Sequence, residues 1–233
     1  MKTYTVSFNF KPVTEVEIRN IIEKLKNKSC YGHDCISNKL IKRSKEILIK
    51  PLTYLVNQSL RKGYFPGELK ISRVKPLFKS GDSELLSNYR PISLLSSFSK
   101  VFEYVIFHQL FDYFNESNLL CIQQFGFRPG HSTELAAVKL IDHLTKQMDR
   151  GLIPINIYID LSKAFDTLNH KILLSKLKYY GISGIENEIF NSYLSNRCQY
   201  VDYNGTHSET KLISTGVPQG SILCPLLFFN LYQ

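Results

Sequence analysis

Ile153-Pro154-Ile155-Asn156-Ile157-Tyr158-Ile159-Asp160-Leu161-Ser162-Lys163-Ala164-Phe165-Asp166 is the stretch on which the reading of this chain turns. Its first eight residues alternate. Ile153, Ile155, Ile157 and Ile159 fall on one face, and Pro154, Asn156, Tyr158 and Asp160 on the other, the period of a β-strand. The β-branched content favours a strand over a helix and makes this the strongest strand signal in the chain. Asp160 closes the strand on the face opposite the isoleucines, and the chain then turns. A carboxylate at a strand end, beside a turn with free N–H groups, suits a Mg²⁺ site that receives a triphosphate, because Mg²⁺ takes hard oxygen ligands and substrate phosphates. The plainer alternative is an Asp that caps the following helix. Asp166 has the stronger claim to that role, since Asn169 and a helix follow it.

Working outward, two helices are expected over 169–180, closed by Gly181, and over 184–196. A hairpin follows: Cys198–Tyr203, an Asn204-Gly205 turn and a returning strand at 210–214. Gly216-Val217-Pro218-Gln219-Gly220-Ser221 then leads into an apolar helix ending near Tyr232. Upstream, Ser132 or Thr133 caps a helix carrying Leu135, Ala136, Leu140, Ile141 and Leu144. Another is expected near 99–115. Thr14-Glu15-Val16-Glu17 is a capping box ahead of Ile18, Ile21, Ile22 and Leu25. A second helix runs from about Ser37 to Lys50, and Pro51 is placed to open a third. Residues 71–78 read as a strand that Pro76 confines to an edge or a bulge.

The chain has 233 residues, 43% of them apolar, enough for a sizeable core. No stretch approaches the ~20 continuous apolar residues of a membrane span, and the N-terminus has no signal-peptide core. These features exclude a membrane channel, a disordered chain and a disulfide mini-protein, and they point to an intracellular protein of the nucleus or cytoplasm that is not secreted. The charge is uneven. Residues 1–100 hold 19 Lys and Arg against 8 Asp and Glu, whereas the remainder holds 10 against 12. A basic half beside a neutral one suggests a polyanionic partner; a solvated, lysine-rich helical surface is the alternative. The five cysteines follow no paired metal-binding spacing. Cys30 and Cys35 could form half of a zinc site, but no second ligand pair follows.

Further segments offer chemistry. Gly and Pro in the 216–221 segment preset a tight turn, with Gln219 at the start of a helix able to donate and accept. In Asn88-Tyr89-Arg90-Pro91-Ile92-Ser93, Pro91 holds Arg90 extended, where its guanidinium could grip a phosphate. Phe125-Gly126-Phe127-Arg128 could stack on bases and contact their backbone. Each also has an ordinary explanation: a loop into a helix, a surface salt bridge, a core edge. No P-loop, dinucleotide-binding, hydrolase-elbow or zincin motif is present.

In their order along the chain, six segments closely resemble the reverse transcriptase domain of non-LTR (LINE-type, jockey-like) retrotransposons. They are Lys28 to Asp34, Val74 to Asp82, Asn88 to Leu95, Gln124 to Thr133, Tyr158 to Asp166 and Gly216 to Ser221, and the resemblance covers the chain from about residue 11. It implies an α+β, right-hand polymerase fold. Residues 1–66 would be a helical N-terminal extension, 67–150 the fingers and 151–233 part of the palm, with the reverse transcriptase domain overall about 70–233. It implies RNA-directed DNA synthesis on an RNA template and DNA primer with deoxynucleoside triphosphates and Mg²⁺, or Mn²⁺ in its place. No membrane and no defined protein partner are implied.

By the same resemblance Asp160 is a catalytic, metal-binding carboxylate, and the Leu161 carbonyl is a second metal ligand. Backbone N–H groups near Lys163 and Ala164 hold the triphosphate, and Phe165 excludes a 2′-hydroxyl. Gln219 and Gly220 lie against the nucleotide, Arg90 and Lys100 neutralise phosphates, and Phe127 and Arg128 meet the template. The sequence departs from the family in one respect. The family's Phe/Tyr-Ala-Asp-Asp motif does not occur, and the chain holds no Asp-Asp pair. Two-metal chemistry needs several carboxylates, so the expectation for this chain alone is little or no polymerase activity. A non-catalytic RNA-binding remnant is the alternative.

Overall fold

The computed structural model describes residues 7–161 and 163–232; residues 1–6, Ser162 within the central motif and Gln233 lie outside the described residues. Thr14 caps the first helix, α1 (Glu15–Lys24), as the capping box requires. Its side chain accepts the Glu17 N–H, and the Glu17 carboxylate accepts the Thr14 N–H at 2.7 Å. The face that α1 then buries is Ile18, Ile21 and Ile22.

The next two helices break elsewhere than expected. They are α2 (Asn38–Arg43) and α3 (Lys45–Lys62), separated at Ser44, with Pro51 inside α3. Ile49, Leu52, Val56 and Leu60 form one buried stripe along α3, which packs against α1 and a later helix. Burial worth ~1.5–3 kcal/mol per large apolar side chain outweighs the ~3 kcal/mol cost of an interior proline. Gly63, at φ 62°, ends α3 in the left-handed conformation that suits glycine.

Strands β1 (Ile71–Phe78) and β2 (Tyr89–Leu94) pair antiparallel, and β3 (Arg197–Tyr203) joins the other side of β1 in parallel. The β1–β3 register spans only Ile71↔Cys198 to Val74↔Val201, so β1 is central in its first half and an edge beyond. Pro76 lies in that second half, opposite Pro91 on β2, where neither residue has an N–H to lose. After Asn204 (φ 51°) and Gly205 (φ 83°), the chain returns along β3 as β4 (Thr206–His207) and β5 (Lys211–Ile213). Ser208 splits the returning strand, its hydroxyl accepting the Val201 N–H at 2.9 Å.

Helices α4 (Ser97–Glu116), α5 (Thr133–Asp149), α6 (His170–Tyr179), α7 (Ile185–Leu194) and α8 (Cys224–Tyr232) complete the chain. The result is a mixed α/β fold with a mixed sheet. One core runs through it, from Phe8 to Phe228. The buried face of α4 (Val101, Phe102, Val105, Ile106, Leu110 and Phe114) is its centre, and Phe65 meets Phe102 and Tyr193 edge-on at 5.9 and 5.0 Å. No helix among the described residues is long and apolar enough to cross a membrane.

Two expectations about the central motif are corrected here. Residues 153–160 form no strand, and Ile153, Ile155, Ile157 and Ile159 are 82–91% exposed. The preceding α5 buries none of its residues, and its Val138, Ile141 and Met148 face solvent too. The alternation defines two faces, but a strand also needs a hydrogen-bonding neighbour, and none of the described residues supplies one. The cap of α6 is Asn169, not Asp166. The Asn169 side chain accepts the Lys171 and Ile172 N–H groups at 3.0 and 3.2 Å.

Two outcomes are expected. The exposed isoleucine stripe, β-prone and nearly uncharged, should make the chain self-associate. Ile155→Thr with Ile157→Thr should shift its size-exclusion profile toward monomer while leaving the circular dichroism spectrum unchanged. Asp202, held below the usual carboxylate range by the Arg73 hydrogen bond (Nε to Oδ2, 2.6 Å), joins β1 to β3. A lowered native pKa stabilises the fold above the ordinary aspartate value of ~3.9 and loses that contribution as pH falls through the native pKa. Asp202→Asn should therefore lower the melting temperature by several degrees at pH 7, with the gap to the parent closing under acid.

Candidate active site

The turn after Asp160 is closed on the Lys163 carbonyl, which accepts the Asp166 N–H at 2.9 Å and the Thr167 N–H at 3.2 Å. Lys163 itself sits at φ 53°. Against this turn lies the Gly216–Ser221 loop. The Gly216 N–H donates to the Leu168 carbonyl at 2.8 Å and the Val217 N–H to the Phe165 carbonyl at 2.9 Å. A Cβ at Gly216 would stand 2.7 Å from the Asp166 carbonyl oxygen and 2.8 Å from its Cα, and φ is +80°, so glycine is required twice over. His170, in the first turn of α6, places Nε2 2.7 Å from the Gly216 carbonyl oxygen.

The other end of the loop is fastened to β2 and α4. The Ser93 N–H donates to the Gln219 carbonyl at 2.9 Å, and a Cβ at Gly220 would come within 3.1 Å of the Ser93 carbonyl oxygen. The Ile222 N–H donates to the buried Glu103 carboxylate at 2.7 Å. Three sequence blocks, Asn88 to Leu95, Tyr158 to Asp166 and Gly216 to Ser221, thus meet around a cleft of about 400 Å³. Pro91, Ser93, Asp166, Gly216 and Gln219 are among its lining residues. A larger groove of about 660 Å³ lies between the Phe10–Glu15 segment, α3 and α7, away from these blocks.

The aromatic residues converge beside the cleft. Phe165 is half-buried, 4.9 Å from the Phe228 ring and 6.4 Å edge-on from Phe127. Phe127 is 64% exposed, sits at φ 55°, and its ring also lies 5.9 Å from that of Phe229. Arg128 donates from Nη1 to the Cys121 carbonyl at 3.1 Å.

Other expected residues stand apart. Asp160 and Leu161 are exposed and do not line the cleft. Among the described residues no group of three or more His, Cys, Asp or Glu is arranged to hold a metal. Arg90 is exposed on β2, opposite Leu77. Lys100 lies against the Lys28–Asp34 block, and burial pulls its pKa down. That block is itself seated on the start of α4. The Ser96 hydroxyl donates to Asp34 at 2.6 Å, and a Cβ at Gly32 would strike the Ser96 nitrogen at 2.6 Å.

Sequence reasoning missed Asp166 as a cleft residue, His170, Glu103 and Arg197. Glu103 left a signal. It shares a helical stripe with Ser99, Phe102, Ile106 and Leu110, so a carboxylate occupies a core position. Arg197, the first residue of β3, left none.

The family profile described as "Reverse transcriptase (RNA-dependent DNA polymerase)" matches residues 77–233. A probable RNA-directed DNA polymerase from transposon BS of Drosophila melanogaster is 35% identical over 230 residues, covering 96% of this chain and 25% of that protein. The RNA-directed DNA polymerase from mobile element jockey of the same species is 30% identical over 226 residues, covering 97% and 25%. A probable RNA-directed DNA polymerase from its transposon X-element is 31% identical over 224 residues, covering 93% and 24%. The chain therefore spans about a quarter of the length of these relatives. With motif order, profile and relatives in agreement, the chain belongs to the reverse transcriptase family, as a domain similar to part of the RNA-directed DNA polymerases of these mobile elements.

Proposed function

We propose that the cleft between the 163–168 turn, β2 and the 216–221 loop receives a deoxynucleoside triphosphate opposite an RNA template. The observation that carries this reading is the double fastening of the Gly216–Gly220 backbone, to Phe165 and Leu168 on one side and to Ser93 on the other. A rigid, glycine-lined wall lets a flat base approach closely without reorganisation. Neither the Lys163 nor the Ala164 N–H has an acceptor among the described residues, which leaves two donors for phosphate oxygens. In this reading Phe165, packed beside Phe228 and edge-on to Phe127, is the ring that rejects a bulkier sugar.

Asp160 and the Leu161 carbonyl offer two hard oxygen donors, which fit a Mg²⁺ or Mn²⁺ ion that keeps water and substrate phosphate as its other ligands. Such an ion, when bound, neutralises charge on the transferring phosphoryl group. Arg90 and Lys100 contribute positive charge from β2 and α4, and Phe127 with Arg128 meets the template strand by stacking and backbone contact. The basic surface of residues 1–100 holds the RNA through its phosphates. In this reading 1–66 is the helical extension, 67–150 the fingers and 151–233 part of the palm, and the protein works inside the cell, in the nucleus or cytoplasm.

Two-metal transfer needs more carboxylates than the described residues gather. The expected outcome for the 233-residue chain is therefore RNA binding without synthesis. In filter binding, the logarithm of affinity should fall linearly with the logarithm of salt concentration, with a slope set by the number of phosphates neutralised. In primer extension on an RNA template with Mg²⁺ and deoxynucleotides, parent and Asp160→Ala should both be silent. Extension by the parent that vanishes in Asp160→Ala would show that other carboxylates complete the site. Failure to retain RNA at low salt would sink the reading.

A further inference from the structure

We infer that Glu103 is a positioning residue: from α4 its buried carboxylate holds the exit of the 216–221 loop and so sets where that loop stands against β2. The inference rests on the proposed function only in taking this loop to face the nucleotide. The tether itself is independent of that reading.

Glu103 is fully buried on the core stripe of α4, where packing alone would call for leucine. A carboxylate there loses its hydration and is tolerated only if its oxygens are satisfied. Both are. Oε1 accepts the Ser99 hydroxyl at 2.9 Å, one helical turn back, and Oε2 accepts the Ile222 N–H at 2.7 Å from 119 residues away. The Leu223 N–H faces it as well. These two N–H groups lie just ahead of α8, where a helix start leaves donors without intrahelical partners. Ser221 serves the next one, its hydroxyl accepting the Cys224 N–H at 3.1 Å.

The buried Arg197 guanidinium supplies the opposing charge. It is held over the Tyr193 ring at 4.7 Å and donates from Nη1 to the Tyr193 carbonyl at 3.0 Å. Burial pushes the Glu103 pKa up, while Arg197 and the donated hydrogen bonds draw it back. The N–H groups of Gly216 and Val217 and the carbonyl of Gln219 are fastened backbone to backbone, with His170 Nε2 on the Gly216 carbonyl besides. The fastening at Ile222 depends on a single side chain, and a substitution can remove it.

The test uses the 233-residue chain with Glu103→Met, which keeps an unbranched side chain in the core, and Glu103→Gln, which keeps an acceptor for Ile222 and can donate to Ser99. Amide hydrogen exchange at Ile222 and Leu223 should be about tenfold faster in Glu103→Met, as expected for losing one hydrogen bond. The α4 amides should be unchanged. Affinity for dATP with Mg²⁺ should fall by a similar factor and RNA affinity should not, with Glu103→Gln restoring both exchange and dATP binding. If Glu103→Met does not fold, Ser99→Ala should show a smaller acceleration confined to the same two amides. Parent-like protection of Ile222 in the folded variant would overturn the inference. Accelerated exchange in Glu103→Met, with a parent that binds no dATP, would support the tether and count against the polymerase reading instead.

Discussion

The backbone at Gly216 lies so close to the turn at Phe165–Leu168 that a methyl group would not fit between them, and two hydrogen bonds of 2.8 and 2.9 Å hold it there. Everything between these segments becomes a closed unit. The helices α6 and α7 and the β3 hairpin leave the turn and return to it, and α8 then packs on α6. The same contact carries the loop to β2, where Ser93 takes the Gln219 carbonyl. Blocks more than a hundred residues apart thus share one cleft, because main-chain groups with no room for side chains must pair directly.

Around that contact the interior is more polar than 43% apolar composition suggests. Glu103 and Arg197 are both buried. Lys70 is 6% exposed, with Nζ 3.4 Å from the Ser192 hydroxyl and 5.7 Å from the centre of the Tyr64 ring, and burial lowers its pKa. Burial also raises the Tyr193 and Cys224 pKa values, keeping both neutral. Such groups rarely add net stability, but each accepts only partners of the right chemistry at the right place. α4 therefore holds the loop by a matched hydrogen bond as well as by apolar packing, which alone would tolerate small shifts.

The surface follows a different logic. The α1–α3 region carries most of the excess Lys and Arg, and its exposed ion pairs, Arg19–Glu46 and Lys45–Glu23, contribute little to stability. The isoleucines of 153–159 are exposed, whereas Ile18, Ile22 and Val101 are buried. Theirs is also the one segment where the strongest sequence signal and the structure disagree.

That disagreement marks the boundary between local and non-local information. The sequence by itself determined what depends on near neighbours. This includes the capping box at Thr14, the Ser132 cap, the Asn204-Gly205 turn, the apolar faces of α1 and α4, and the ordered motifs that carry the family. Only the tertiary structure decided the features that depend on a partner far along the chain. Pro51 is absorbed into α3 because that helix has a face to bury. Pro76 is tolerated because β3 stops pairing two residues earlier. Asp166 lines a cleft because Asn169 takes the cap. Glu103 serves a loop 119 residues away. Periodicity and propensity are written residue by residue, whereas hydrogen-bond partners, desolvation and ladder neighbours arise only when distant segments meet. Residues 153–160 thus have a strand's pattern without a strand's neighbour.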